Sequence, residues 1–226
     1  MPDIAVIIPA GGSGTRMGGR TPKQFLRIGG SAILVRSVKA FDRIPDVEQI
    51  IVAVPAKYRK RTERILRDAG CRKVTAVVTG GRERQDSVRR ALAGVAGAPT
   101  LILIHDAVRP LVSRTVILAV IDAAQRWGAA VAGIRVRDTV KCEGKRGFFT
   151  STLPRRLLWA VQTPQGFRRE LIERAHRAAH RAGYLGTDDA SLVERLGTPV
   201  RIVEGSSRNI KITTRDDLAV AGLWAK

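Results

Sequence analysis

Two cations, Arg16 and Lys23, accompany a stretch dense in glycine, Ala10-Gly11-Gly12-Ser13-Gly14-Thr15-Arg16-Met17-Gly18, with Pro22-Lys23-Gln24 close behind. Without Cβ atoms, glycines let a backbone come close to a phosphate or a base. Their N–H groups donate, and the two side chains add full charges, so the chemistry suggested is anion binding. A second block reads Gly80-Gly81-Arg82-Glu83-Arg84-Gln85-Asp86-Ser87-Val88. Free N–H groups at a helix start, or a serine hydroxyl, can read the polar edge of a base. A third reads His105-Asp106-Ala107-Val108-Arg109-Pro110. Asp106 suits a divalent metal or a substrate hydroxyl, and Arg109 suits a phosphate. A phosphate nucleophile is already ionised and needs no base, so His105 is read as structural.

These blocks need a common edge, and the flanking segments supply one. Each follows an apolar run of strand length, and buried strand followed by polar loop is how an α/β protein builds a site at the carboxyl edge of its sheet. Strands are predicted at 3–9, 48–54, 74–78, 100–105 and 129–135, with helices at 31–43, 57–69, 84–96 and 113–127 between them. Ser113 is the predicted N-cap of the fourth helix. Helices at 168–182 and 188–196, strands at 200–204 and 209–213, and a final helix from Thr214 complete the pattern. The rhythm is that of a mostly parallel sheet covered on both faces, a single domain over 1–226. One segment, 137–158, breaks it: Asp138-Thr139-Val140-Lys141, a turn, then Phe148-Phe149-Thr150-Ser151 read as a hairpin. It is too polar to supply its own core and is expected to lie on another surface, that of a second subunit being one option.

Familiar motifs fail. The dinucleotide pattern G-x-G-x-x-G meets Met17 where its third glycine should be, and the P-loop pattern meets Arg20 where its lysine should be. What remains resembles the nucleotide-sugar pyrophosphorylase and nucleotidyltransferase superfamily, whose first loop binds a nucleoside triphosphate. His176 and His180 have the spacing of two zinc ligands, but Arg177 replaces the glutamate of H-E-x-x-H, and both are read as surface histidines. Ser13 and Ser87 lack a histidine–acid pairing for acyl chemistry. Trp127, Trp159 and Trp224 are read as core or interface anchors.

The chain has 226 residues, 44% of them hydrophobic, enough for one sizeable α/β domain. Its net charge of +20 invites a nucleic-acid reading. The basic residues are dispersed over helix faces, however, and aromatics make up only 4%, too few for a stacking platform. A polyanionic small substrate is the better account. Met1-Pro2-Asp3 is no basic leader, no apolar run approaches membrane-spanning length, and Cys71 and Cys142 match no metal or redox spacing. The expectation is a cytoplasmic protein with reduced thiols and no membrane partner.

The blocks P-A-G-G-S-G-T-R-M-G, P-K-Q-F, G-G-R-E-R-Q-D-S-V, H-D-A-V-R-P, V-R-D-T-V-K, W-A-V-Q-T-P-Q-G-F, T-D-D-A-S and N-I-K-I-T occur in one order over nearly the whole chain. Together they resemble the 2-C-methyl-D-erythritol 4-phosphate cytidylyltransferase family of the non-mevalonate isoprenoid pathway. The one departure is Gly11, where relatives often carry alanine, and it should leave the backbone contact intact. The chain ends soon after the last block, so a fused downstream enzyme is not expected. The resemblance implies a Rossmann-like nucleotidyltransferase domain with a protruding β-arm at 137–158, and transfer of CMP from CTP with Mg²⁺ as cofactor. It implies that Ala10, Gly11, Gly12, Gly14, Gly81, Ser87, Asp106 and Ala107 hold the nucleotide, and that Arg16, Lys23 and Lys211 are the catalytic cations. Asp106, Arg109, Thr139, Arg155, Thr163 and Thr187 would serve the polyol phosphate, with Asp106 also facing the metal. It further implies a homodimer in which the arm embraces the partner and Arg155 reaches the partner's acceptor phosphate. A ribitol 5-phosphate cytidylyltransferase would share fold, CTP and most blocks. A basic nucleic-acid-binding module is the alternative from another class.

Overall fold

The computed structural model describes residues 3–12 and 21–225. The strands are β1 (Ile4–Pro9), β2 (Arg27–Ile28), β3 (Ser31–Ala32), β4 (Val47–Val54), β5 (Val74–Thr79), β6 (Leu101–Ile104), β7 (Ala129–Arg135), β8 (Lys141–Glu143), β9 (Phe149–Thr152), β10 (Trp159–Arg168) and β11 (Arg201–Glu204). The helices are α1 (Ile33–Asp42), α2 (Arg59–Asp68), α3 (Arg84–Leu92), α4 (Arg114–Trp127), α5 (Arg169–Arg181), α6 (Asp189–Glu194) and α7 (Arg215–Trp224).

Seven strands form the main sheet in the order β11-β7-β10-β6-β1-β4-β5. All neighbours pair parallel except β10, which runs antiparallel to both β6 and β7. β1 is buried along its whole length, as a central strand covered on both faces must be. Its side chains alternate between two cores. Ile4, Val6 and Ile8 pack on one side with Leu34, Val38 and Phe41 of α1 and Val116 and Val120 of α4. Ala5 and Ile7 pack on the other with Val88 of α3, Ile172 of α5 and Val193 of α6. From β1 the chain steps outward through β4 to β5, then returns to place β6 on the other side of β1. That reversal opens a crevice at the carboxyl ends of β1 and β6, where ligands of α/β sheets bind. Ser113 caps α4, its Oγ accepting the Val116 N–H at 3.2 Å, and Gly128 ends that helix at φ 84°, a left-handed conformation that favours glycine.

The structure departs from the sequence expectations in several places: the first arm strand is Lys141–Glu143 rather than 138–141, and residues 31–32 form a strand ahead of α1. β10 was not expected as a strand. Its Gln162, Pro164, Gln165 and Gly166 read as a loop, yet positions 162–167 are buried in mid-sheet. Pro164, which has no N–H for the ladder, lies where the β10–β7 register slips between Val161 and Gln165. Conversely, 209–213 is not a strand. The Ile210/Ile212 alternation is present, but its backbone bonds elsewhere: Ile212 N–H donates to Val108 O at 2.9 Å and Asn209 N–H to Ser206 O at 3.0 Å. α3 ends at Leu92 rather than 96. His176 is buried, not a surface residue, while His180 is exposed as expected.

The arm is a separate two-stranded ladder of β8 and β9. Phe148 and Phe149 at its tip are 73% and 69% exposed, so this chain offers them no core. Its root is held firmly. Trp159 pairs with Arg135 across β10 and β7, the Arg135 guanidinium lies 4.3 Å from the Trp159 ring centre, and Val136 N–H donates to Leu158 O at 3.2 Å. Of the tryptophans expected as core or interface anchors, Trp127 and Trp224 are exposed, each with an arginine, Arg201 and Arg208 respectively, over its ring. Among the described residues, no helix is long and apolar enough to cross a membrane.

Candidate active site

A cleft of about 400 Å³ opens at the carboxyl ends of β1 and β6. Of the residues singled out above, it is lined by Ala10, Gly11, Gly12, Lys23, Gly81, Ser87, Asp106, Ala107 and Lys211. Four segments distant in sequence therefore converge on one edge. Gly14 and Arg16 lie outside the described residues. Arg109 and Thr163 are buried directly behind Asp106. Thr139, Arg155 and Thr187 are exposed and do not line the cleft, and Arg155 donates from Nη1 to Arg137 O at 2.9 Å within the arm.

The first loop is set by β1. Ala10 N–H continues the ladder to Ala53 O at 2.7 Å, and Ala10 C=O accepts the buried Gln24 Nε2 at 2.9 Å. Both polar groups of Ala10 are thus used in holding the loop. A Cβ on Gly11 would lie 3.5 Å from Ser87 Oγ, an ordinary contact, so alanine is sterically acceptable there. The second loop is different. A Cβ on Gly81 would fall 2.1 Å from Asp86 Cβ, and one on Gly80 would fall 2.9 Å from Ser87 Oγ. The Gly-Gly pair is required because the loop folds back over the first turn of α3. Ser87 Oγ accepts the Gly81 N–H at 3.0 Å and donates to Glu83 O at 3.1 Å. Its one proton is spent, so towards the cleft Ser87 can only accept.

Asp106 is the electrostatic centre. Oδ1 faces Arg84 Nε at 3.0 Å, Oδ2 faces Lys211 Nζ at 2.8 Å, and Arg109 Nε lies 4.0 Å from Oδ2. Burial alone would raise its pKa, but Arg84, Lys211 and Arg109 outweigh burial and hold the carboxyl well below the usual range. It is therefore a buried anion in a cationic nest. Arg84, which the motif reading left without a role, is the hinge of this arrangement. Its Nη1 donates to Asp189 Oδ2 at 2.6 Å, and Asp189 Oδ1 faces His176 Nε2 at 3.1 Å. Although quoted within T-D-D-A-S, Asp189 had also been given no role. The signal available was an acidic residue beside a helix cap, which by itself says nothing of a partner far away in sequence.

Behind Asp106 lies a polar network. Asp106 N–H donates to Thr163 Oγ1 at 3.1 Å, and the Thr163 hydroxyl reaches His105 Nδ1 at 3.0 Å. With Nδ1 accepting, Nε2 carries the proton and donates to Arg109 O at 3.1 Å. Burial pushes the His105 pKa down to about 4, so the ring is neutral and structural, as its sequence context suggested. Arg109 Nη1 donates to Asn209 O at 2.7 Å, tying the segment that carries Lys211 to the loop that carries Asp106.

Among the described residues, no three His, Cys, Asp or Glu side chains converge where a metal ion could sit. Both oxygens of Asp106 already face cations, so a metal there would have to displace Lys211 or Arg84. Among the described residues, no protein-built magnesium cage lines this cleft. What the arrangement can do is gather negative charge. A glycine-walled crevice, a hydroxyl acceptor for a base, and Lys23 and Lys211 facing the same space suit a nucleoside triphosphate.

The sequence model of the family described as 2-C-methyl-D-erythritol 4-phosphate cytidylyltransferase (IspD) matches residues 4–225. The protein of that name from Syntrophus aciditrophicus is 44% identical over 226 residues, covering 100% of this chain and 97% of the relative. The one from Geobacillus kaustophilus is 46% identical over 215 residues, covering 95% and 93%. Among solved structures, the 2-C-methyl-D-erythritol 4-phosphate cytidylyltransferase of Thermus thermophilus superposes with a TM-score of 0.81 at 37% identity, covering 99% of this chain and 98% of that one. The 4-diphosphocytidyl-2C-methyl-D-erythritol synthase of Anaerococcus prevotii gives 0.86 at 28%, covering 99% and 96%. Sheet order, cleft and full-length similarity agree: this chain belongs to the 2-C-methyl-D-erythritol 4-phosphate cytidylyltransferase family.

Proposed function

We propose that this protein transfers CMP from CTP to 2-C-methyl-D-erythritol 4-phosphate, giving 4-diphosphocytidyl-2-C-methyl-D-erythritol and pyrophosphate in non-mevalonate isoprenoid biosynthesis. The observation that carries the reading is the family match over residues 4–225, which spans every segment lining the cleft. The acceptor's phosphate oxygen attacks the α-phosphorus of CTP in line, and pyrophosphate leaves. The nucleophile is already an anion, so the protein's task is to hold two anions together and stabilise charge between them. Lys23 and Lys211 border that space, with Arg16 the third proposed cation. Asp106 fixes Lys211 and is itself fixed by Arg84. Magnesium enters as the counter-ion of the triphosphate, and a cytoplasmic location follows from the metabolic role. Purified protein given CTP and Mg²⁺ is expected to release pyrophosphate far faster with methylerythritol phosphate than with ribitol 5-phosphate. Equal or reversed preference would remove the acceptor assignment, and salt-sensitive RNA or DNA binding without CTP turnover would remove the enzyme reading.

Ser87 is the proposed reader of the base. As a pure acceptor it suits the exocyclic amino group of cytosine, where uracil presents a carbonyl oxygen. Ser87→Ala is expected to narrow the ratio of kcat/KM for CTP over UTP. An unchanged ratio would assign the reading to backbone groups.

The arm supports a homodimer, because Phe148 and Phe149 at its tip and Leu157 in the turn after it are exposed apolar side chains without a core in this chain. Arg155, at its returning end, is proposed to reach the partner's acceptor phosphate. Arg155→Ala and Lys23→Ala homodimers should each be nearly inactive. In a mixed dimer one site then carries both lesions and the other neither, so subunit exchange restores activity. If Arg155 acts within its own subunit, every site keeps one lesion and mixing restores nothing.

A further inference from the structure

Arg84 is the side chain through which the cleft is tied to α5 and α6, the helices that pack beside α3 on one face of the sheet. It projects from the first turn of α3, with Nε on Asp106 and Nη1 on Asp189. A guanidinium gripped by carboxylates at two of its edges has its plane fixed, which a single contact would leave free to rotate. Asp189, at the start of α6, is 1% exposed. His176 of α5, equally buried, faces its other oxygen at 3.1 Å. Arg84 and Asp106 line the cleft, whereas Asp189 and His176 do not. The line His176–Asp189–Arg84–Asp106–Lys211 is thus continuous from a helix that stays clear of the cleft to a cation facing the substrate space.

We propose that Asp189 and His176 are positioning residues for cytidylyl transfer, acting through Arg84 to fix the orientation of Asp106 and hence of Lys211. The inference rests on the cytidylyltransferase reading and extends it to residues that touch neither substrate. Its physical content is directional. Buried ion pairs of this kind are poor sources of net stability, but removing one member leaves the others uncompensated and free to reorient. Asp189 remains ionised because Arg84 and His176 together outweigh its burial, so the grip persists across the neutral range. The packing of α5 and α6 against the sheet would be served as well by apolar residues. A charged chain aimed at the cleft serves orientation.

The test is a double-mutant cycle. Asp189→Asn keeps the shape and removes the charge, and Arg84→Met keeps much of the stem and removes the fork. Asp189→Asn is expected to lower kcat/KM for both substrates by about 10- to 100-fold, as loss of an orienting contact does. In the Arg84→Met background the same change should cost nothing further, because the route is already cut. His176→Leu should lower kcat/KM, and His176→Gln, which keeps an N–H donor, should recover most of the loss. An activity-independent reading comes from the Arg84 Nε–H resonance, identified by its absence in Arg84→Met: it should exchange slowly with solvent in the unaltered protein and faster in Asp189→Asn. Additive effects in the cycle, or unchanged kcat/KM with only a lowered Tm, would overturn the proposal. If Asp189→Asn does not fold, the His176 pair decides by the same two readouts. If the unaltered protein turns over no CTP, the functional reading fails, and Arg84 exchange in the His176 variants still judges the coupling.

Discussion

Lys23→Ala is expected to lower kcat by about 10²–10³ while leaving the KM for CTP within a few-fold of the unaltered value. Lys23 borders the cleft from the turn after the glycine loop, and a Cβ on Gly12 would lie 3.4 Å from its Cε. The ammonium stem therefore runs along the backbone of that loop, where a triphosphate would lie in the proposed reaction. Charge at the α-phosphoryl group grows between ground state and transition state, so a cation held there contributes more to the rate than to binding. Arg16→Ala is expected to behave in the same way. Steady-state kinetics with both substrates varied separates the cases. Near-normal kcat with a raised KM for CTP would reduce Lys23 to a ground-state anchor.

Asp106→Asn should destabilise the fold by about 3–5 kcal/mol, because it takes the counter-charge from a buried cluster and leaves Arg109 and Lys211 without it. The pH dependence has a definite sign. The folded-state pKa of Asp106 is depressed, so in acid the unfolded chain binds a proton that the folded chain refuses. Its contribution is fully present above the unfolded carboxyl pKa of about 3.9 and is lost as pH falls below it. Urea unfolding measured from neutral pH downwards should show the two proteins converging in acid. A constant gap between the curves would mean that the cost of the substitution is steric. Turnover should fall too, since Lys211 loses its fixed partner.

Much of this fold could be read from strands that are apolar throughout and helices that are apolar on one side. β1, β4, β5, β6 and β7 lie within a residue of the expected limits. Burial on both faces leaves long apolar runs in β1, β4, β6 and β7, while β5, at the sheet edge, is only partly buried and reads as a strand through its β-branched residues. β10 was concealed by the same physics. It lies mid-sheet but carries Gln162, Thr163 and Gln165, whose polar groups are satisfied only by residues remote in sequence, such as Asp188 for Gln165 at 2.7 Å and Ser206 for Gln162 at 2.9 Å. No local rule finds such partners. The site divides in the same way. Strand-end logic alone brings Gly11, Gly81 and Asp106 to one edge, while Lys211 reaches it on an irregular segment and was supplied by resemblance to a family. Arg84 was given no role and His176 was read as a surface residue, since each depends on a carboxylate contributed by a different helix.

The clamped root of the arm has an evolutionary consequence. β7 and β10 are paired up to Arg135 and Trp159, and the Val136–Leu158 bond closes the ladder just beyond them. Changes confined to the tip, at Phe148 or Phe149, therefore leave that pairing and the strand that carries Thr163 in place. Insertions, deletions and turnover of tip residues in β8 and β9 can accumulate there without shifting the register of β10, as they do in exposed excursions whose ends are pinned. The tip of the arm and the cleft are joined covalently, yet they are free to diverge at different rates.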